Sequence, residues 1–108
     1  MQQERYNLIM QMLEKNPDDS FLNYAAALEL KKNGKLDNSI KLLEKVLDID
    51  PAYLPVYYQL GKLHEETQQQ QKAIPIYHKG KEIASDQNDM KTFRELSEAL
   101  NLLYDDTD

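Results

Sequence analysis

Asp50-Pro51-Ala52-Tyr53-Leu54-Pro55-Val56-Tyr57-Tyr58-Gln59-Leu60-Gly61 is the stretch that decides the fold. Pro51 stops the helix before it, because proline has no amide hydrogen to donate and its ring crowds the carbonyl four residues back. Beyond the stop, Tyr57, Leu60, Gly61 and His64 recur at i, i+3, i+4 and i+7, the spacing of one face of a new helix. The same stop stands 34 residues earlier, with Asn16-Pro17 in the place of Asp50-Pro51. Each proline follows an aliphatic pair, Met12 and Leu13 before the first and Val46 and Leu47 before the second. Each is followed by a new helix within three to five residues.

The rest of the chain agrees with this punctuation. Tyr6, Ile9, Met10 and Leu13 form one helical stripe, and Phe93, Leu96, Ser97 and Leu100 form another. No segment alternates strictly enough to suggest a strand. Three glycines and four prolines among 108 residues, with many Leu, Lys, Glu and Gln, favour helix. Asn16-Pro17-Asp18-Asp19-Ser20 ends the first helix and offers caps to the second. Asn33-Gly34 closes the second, since either residue readily takes the left-handed conformation past a helix end. Thr67 to Gln71 turns the fourth helix into the fifth without a glycine, and Ser85 to Asp89 separates the fifth from the sixth. The expected helices are 4–16, 20–33, 36–49, 54–67, 71–84 and 89–104. Pro75 falls near the edge of the first turn of the fifth, where its missing N–H costs little. Asp105 to Asp108 read as a frayed, solvated end.

Size and charge narrow the function. A chain of 108 residues is one domain's worth, able to hide roughly two-thirds of its unfolded surface. With 13 Lys+Arg against 19 Asp+Glu the net charge is −6, which repels phosphate backbones, and no basic block offers a local exception. Nucleic acid is not the expected partner. The first apolar stretch is broken by Gln11 and Glu14, too short for a signal peptide or a membrane span. No cysteine is present, so disulfides and thiolate metal sites are excluded, and a cytoplasmic location is expected.

At these residues the chain resembles the tetratricopeptide repeat family, whose units are helix pairs 34 residues long. The match is fullest from Leu54 onward, with Tyr57, Leu60, Gly61, Ala73, Tyr77 and Gly80. Ala26, Ala27, Ser39, Leu43 and Val46 carry it in the preceding unit. The resemblance implies an all-α, antiparallel helix-hairpin superhelix of six helices in a single domain, 1–108. Its parts would be a half-repeat at 4–17, repeats at 20–51 and 54–85, and a capping helix at 89–104. Gly61, Ala27, Ser39 and Ala73 would sit where helices cross closely. Three departures stand out. Asn23 occupies a place where a large residue is usual, with Phe21, Leu22 and Tyr24 near enough to share its work; Gln68 replaces the usual turn glycine; Ser85 replaces the usual proline. The step from Tyr57 to Phe93 is also two residues longer than the repeat.

By the same resemblance the first helices of each pair line a concave groove. The groove positions would be Phe21, Tyr24 and Leu28, then Pro55, Tyr58 and Lys62, then Lys91 and Arg94. Tyrosine joins apolar area to a hydroxyl at small entropic cost, which suits the capture of a peptide or helix. Lys62, Lys91 and Arg94 would favour an acidic segment. The alternative is ordinary solvated surface, with Phe21 and Tyr24 partly in the core. The fixed Lys/Asn set by which some family members grip a terminal carboxylate is missing, with Tyr24, Leu28 and Gln59 in its places.

Other residues compete for attention. Leu8 and Met12 flank the stripe of the first helix and leave it apolar on more than one face, which suits self-association as a homodimer; packing across the second and third helices is the alternative. His64 reads as a core histidine. His78 and Glu82 have the i, i+4 spacing of two metal ligands but no third, and read as a solvated pair. No phosphate loop, nucleophile elbow or HExxH pattern occurs, so neither catalysis nor a cofactor is expected. The expected function is a non-enzymatic module that binds a protein or peptide, with homodimerisation through the first helix as the alternative.

Overall fold

Prolines and left-handed residues determine where the helices stop. The computed structural model describes residues 2–106, with side chains from 4 to 104. They form α1 (Gln2–Lys15), α2 (Ser20–Lys32), α3 (Leu36–Ile49), α4 (Pro55–Glu66), α5 (Gln70–Asp86) and α6 (Met90–Asp106), with no strand among the described residues. Two kinds of turn join them. After α1 and α3 an Asn-Pro or Asp-Pro pair ends the helix, and Asp19 N–H returns to the Asn16 carbonyl at 3.2 Å as Tyr53 N–H returns to Asp50 at 3.0 Å. After α2, α4 and α5 one residue turns left-handed: Gly34 at φ 78°, Gln68 at 61° and Asn88 at 58°. In each case the next amide reaches back five residues, Lys35 to Leu30, Gln69 to His64 and Asp89 to Ala84, at 2.7–2.9 Å. These are Schellman closures, which satisfy carbonyls the helix leaves open.

Two departures from the sequence expectation follow from these turns. With Ser85 in place of a stopping proline, α5 runs on to Asp86 and ends through Asn88, which accounts for the longer step to Phe93. Pro75 lies in the second turn of α5, deeper than expected, and costs that helix one backbone hydrogen bond. At the carboxyl end α6 extends to Asp106, two residues into the stretch expected to fray. Thr107 and Asp108 lie outside the described residues.

The chain folds as two compact units, Met1–Tyr53 and Leu54–Asp108. In the first, α1 lays Ile9 and Leu13 on Ala25 and Ala26 of α2, with Tyr6, Leu22 and Leu42 packed around them. Burying Ile9 and Leu13 stabilises this docking by about 1.5–3 kcal/mol each. Met10 stays exposed, although the stripe had included it. Arg5 Nε meets the Glu29 carboxylate at 2.5 Å, and that carboxylate is buried. Ala26 and Ala27 are fully covered, and Ser39 Oγ donates to the Ala27 carbonyl at 2.7 Å, tying α3 to α2. Asn23 does the work of its missing large residue differently. Its buried amide donates to the Pro17 and Asp19 carbonyls at 3.0 and 2.8 Å and clamps the α1–α2 turn. Phe21 takes no share in it, being 63% exposed.

In the second unit Ala73, Tyr77, Leu96, Ala99, Leu100 and Leu103 form the core of α5 and α6, with Tyr58 and Ile74 against it. The helices cross at glycine. A Cβ at Gly61 would lie 2.1 Å from Cε1 of Tyr77, and one at Gly80 would lie 2.7 Å from Cβ of Tyr57 and 2.9 Å from a Leu96 methyl. The Tyr77 hydroxyl donates to Glu65. Burial, then that hydrogen bond and the carboxylate's charge, push Tyr77 ionisation well above its ordinary value. Among the described residues no helix is long and apolar enough to cross a membrane.

Candidate partner-binding surfaces

In the first unit Phe21, Tyr24 and Leu28 follow one another at i, i+3 and i+7 along α2. Ala25, Ala26 and Ala27 turn inward, while Phe21 projects into solvent and Tyr24 and Leu28 are half-buried. Tyr53, from the turn after α3, meets Tyr24 with ring centroids 5.4 Å apart at an interplanar angle of 53°. Partial burial, then the charges of Asp19 and Asp50, raise the Tyr53 phenol above its usual ionisation range. Tyr53 was absent from the sequence-derived set. Its signal was its place three residues after the turn-forming Asp50, which carries it back toward the start of the helix pair.

In the second unit Pro55 opens α4 at its first position, where a missing N–H is harmless. Tyr58, one turn on, is half-buried against the α5–α6 core. Lys62 holds its ammonium 5.5 Å from the centre of the Tyr58 ring, and 3.8 Å from Glu65 Oε2. Lys91 and Arg94 are exposed at i and i+3 near the start of α6. Asp89 caps that helix, accepting from the Thr92 amide at 3.0 Å and its hydroxyl at 2.9 Å. These bonds, with the charge of Lys91, hold the Asp89 carboxyl below the usual range. Thus Lys62 and Lys91, two of the cations expected to favour an acidic segment, each have an acid of this chain nearby. A contact that sequence reasoning missed is Lys81 of α5, whose ammonium lies 5.0 Å from the Phe93 ring centre.

On α1, Leu8 and Met12 stand at i and i+4, 57% and 41% exposed. His64 is buried, as expected of a core histidine. His78 Nε2 lies 2.9 Å from the Tyr104 hydroxyl, while Glu82 pairs with Lys79 at 3.4 Å. Among the described residues no three His, Cys, Asp or Glu side chains gather as a metal site would require.

Comparison with known proteins agrees with the helix pairs. A family model described as TPR repeat matches residues 27–68, and another described as Tetratricopeptide repeat matches residues 54–87. The crystal structure of a tetratricopeptide repeat domain protein from Salinibacter ruber is 35% identical at a TM-score of 0.72, covering 76% of this chain and 91% of that one. The chain belongs to the tetratricopeptide repeat family. A solution structure of a Salinibacter ruber tetratricopeptide repeat domain protein is 36% identical at a TM-score of 0.74, covering 78% of this chain and 85% of that one. The TPR2B domain of yeast Sti1, in a complex with pHsp70, has a TM-score of 0.83 over 89% of this chain and 77% of its own. At 16% identity that likeness concerns the fold alone. No curated protein matches the chain. Tetratricopeptide repeats are in general protein–protein interaction modules without enzymatic activity, and this chain is all-α with their repeat fold.

Proposed function

We propose that this tetratricopeptide repeat chain is a non-catalytic module that binds a peptide or helix of a partner protein, each of its two units offering a contact surface of its own. The observation that carries the proposal is the waste of aromatic area if nothing binds. Phe21 stands in water, and Tyr24 and Tyr58 stay half-open, beside small or apolar neighbours that are fully buried. Large rings left at a surface rimmed by polar groups mark contact sites. Pro55, Tyr58 and Lys62 on α4, with Lys91 and Arg94 on α6, supply an apolar anchor and cations that favour an acidic segment. Phe21, Tyr24 and Leu28 supply the apolar part on α2.

Calorimetry with partner proteins captured from the native cell tests this. Changing Tyr24 and Tyr58 together to alanine is expected to weaken binding at least tenfold, as loss of two aromatic anchors at more than about 1 kcal/mol each would, with helicity by circular dichroism unchanged. Unaltered affinity in the double variant would refute the assignment.

A second reading rests on α1. Leu8 and Met12 form an exposed apolar pair one helical turn apart, and methionine adapts to a partner surface. Self-association through this face predicts a dimer by light scattering that Met12→Glu dissociates. A monomer at high micromolar concentration would dispose of it.

A further inference from the structure

The aromatic surface of the first unit has the opposite electrostatic character to the cations of α4 and α6. Phe21 is exposed, and Tyr24 and Tyr53 meet at a tilt that leaves part of each ring open. Asp19 caps α2 immediately before these aromatics, with Oδ1 engaged by the Leu22 amide at 2.8 Å. Asp50 opens the turn that delivers Tyr53, and its Oδ1 accepts from the Ala52 amide at 3.2 Å. An ionised carboxylate offers about four lone-pair sites, so both retain acceptor capacity after these bonds. Their charges already act on the Tyr53 phenol.

Of the charges nearby, Asp19 and Asp50 are those that act on the Tyr53 phenol. Asp18 is exposed. Lys45 of α3 donates its ammonium to the Pro17 carbonyl at 2.9 Å and keeps its charge there. Lys31 and Lys32 lie at the far end of α2, Lys31 about 15 Å along the axis from Phe21 at 1.5 Å per residue. The start of α2 would by itself attract an anion, but Asp19 occupies it.

Resting on the binding-module reading, and deepening it, we propose that Phe21, Tyr24 and Tyr53, rimmed by Asp19 and Asp50, receive an arginine side chain of the partner segment. A guanidinium is planar and weakly hydrated, so it stacks on aromatic faces while its fork of N–H donors reaches carboxylates; the compact, strongly hydrated ammonium of lysine does this less well.

The test titrates isotope-labelled full chain with a tripeptide of arginine between two glycines, blocked at both ends, and follows the backbone amides. Saturable shifts are expected at Phe21, Tyr24 and Tyr53. Phe21→Ala should weaken them about two- to fivefold, the range of an exposed cation–ring contact. Asp50→Asn and Asp19→Asn keep the turn and cap acceptors while removing charge, and each should also weaken binding. Phe21 and both acids are exposed or half-exposed, so a well-dispersed spectrum of each variant shows that the fold persists. The proposal is overturned if these amides do not move, if the variants bind the arginine tripeptide as the parent does, or if the glutamate counterpart moves the same amides equally. Shifts from the glutamate tripeptide at Tyr58, Lys62, Lys91 and Arg94 report separately on the acidic-ligand reading.

Discussion

A methyl group at position 61 would probe the crossing of α4 and α5. An ideal Cβ there lies 2.1 Å from Tyr77 Cε1 and 2.6 Å from Cζ, whereas non-bonded carbons rest about 3.5–4.0 Å apart. The ring would have to retreat by roughly 1.5 Å. It has little freedom to do so, being fully buried and tied through its hydroxyl to Glu65. Overpacking a close-packed core costs about 1–3 kcal/mol, and this geometry belongs at the upper end. Alanine recovers about 1 kcal/mol over glycine in helix propensity, leaving Gly61→Ala about 2 kcal/mol less stable. Urea denaturation followed by circular dichroism would read this as a lower midpoint at unchanged slope, with Tm lower by on the order of 10 °C. Gly34→Ala is the comparison, because nothing lies within 4 Å of its added methyl and its cost is only that of a left-handed φ of 78°, about 1 kcal/mol. In a Tyr77→Leu background the penalty at position 61 should shrink, with a coupling above about 0.5 kcal/mol. A Gly61→Ala protein as stable as the parent would refute the crossing as described.

Gln68 holds a φ of 61°, so Gln68→Gly should stabilise the protein by about 1 kcal/mol in the same denaturation assay, the relief of left-handed strain exceeding the added chain entropy. Arg5→Ala strands the buried Glu29 carboxylate and should cost about 1–2 kcal/mol, less than the loss of a wholly buried partner because Arg5 itself is largely solvated; restoring stability with Glu29→Gln in the same chain would confirm the cause. The Asp89 carboxyl titrates below its ordinary 3.8, so its capping contribution is complete above that value and is lost as pH falls through the lower folded value. Stability of α6 should therefore decline with acid below pH 3.8, and Asp89→Asn, which keeps the oxygen acceptor without the charge, should flatten that part of the acid transition.

Much of this was legible in single residues and their spacing. Pro17 and Pro51 announce their turns because the loss of an N–H is a local fact, and Asn33-Gly34 announces its turn because a left-handed φ is. Ala27, Gly61 and Ala73 mark helix crossings because only small residues permit backbone approach. Gln68 was less readable. Its left-handed backbone is imposed by the closure of Gln69 onto His64 and opposes its own preference.

The sequence by itself thus determined six helices, the stops at Pro17, Gly34 and Pro51, the 34-residue period and the family. Tertiary structure alone decided that Asn23 clamps a turn instead of filling a core, that Met10 faces outward, and that α5 outruns its expected end. It also decided the chemistry of the candidate surfaces, bringing Tyr53 to Tyr24 and Lys81 to Phe93. The reason is physical. Helix periodicity and turn preference act between residues a few places apart, whereas the partner of an aromatic ring or a charge depends on where whole helices come to rest.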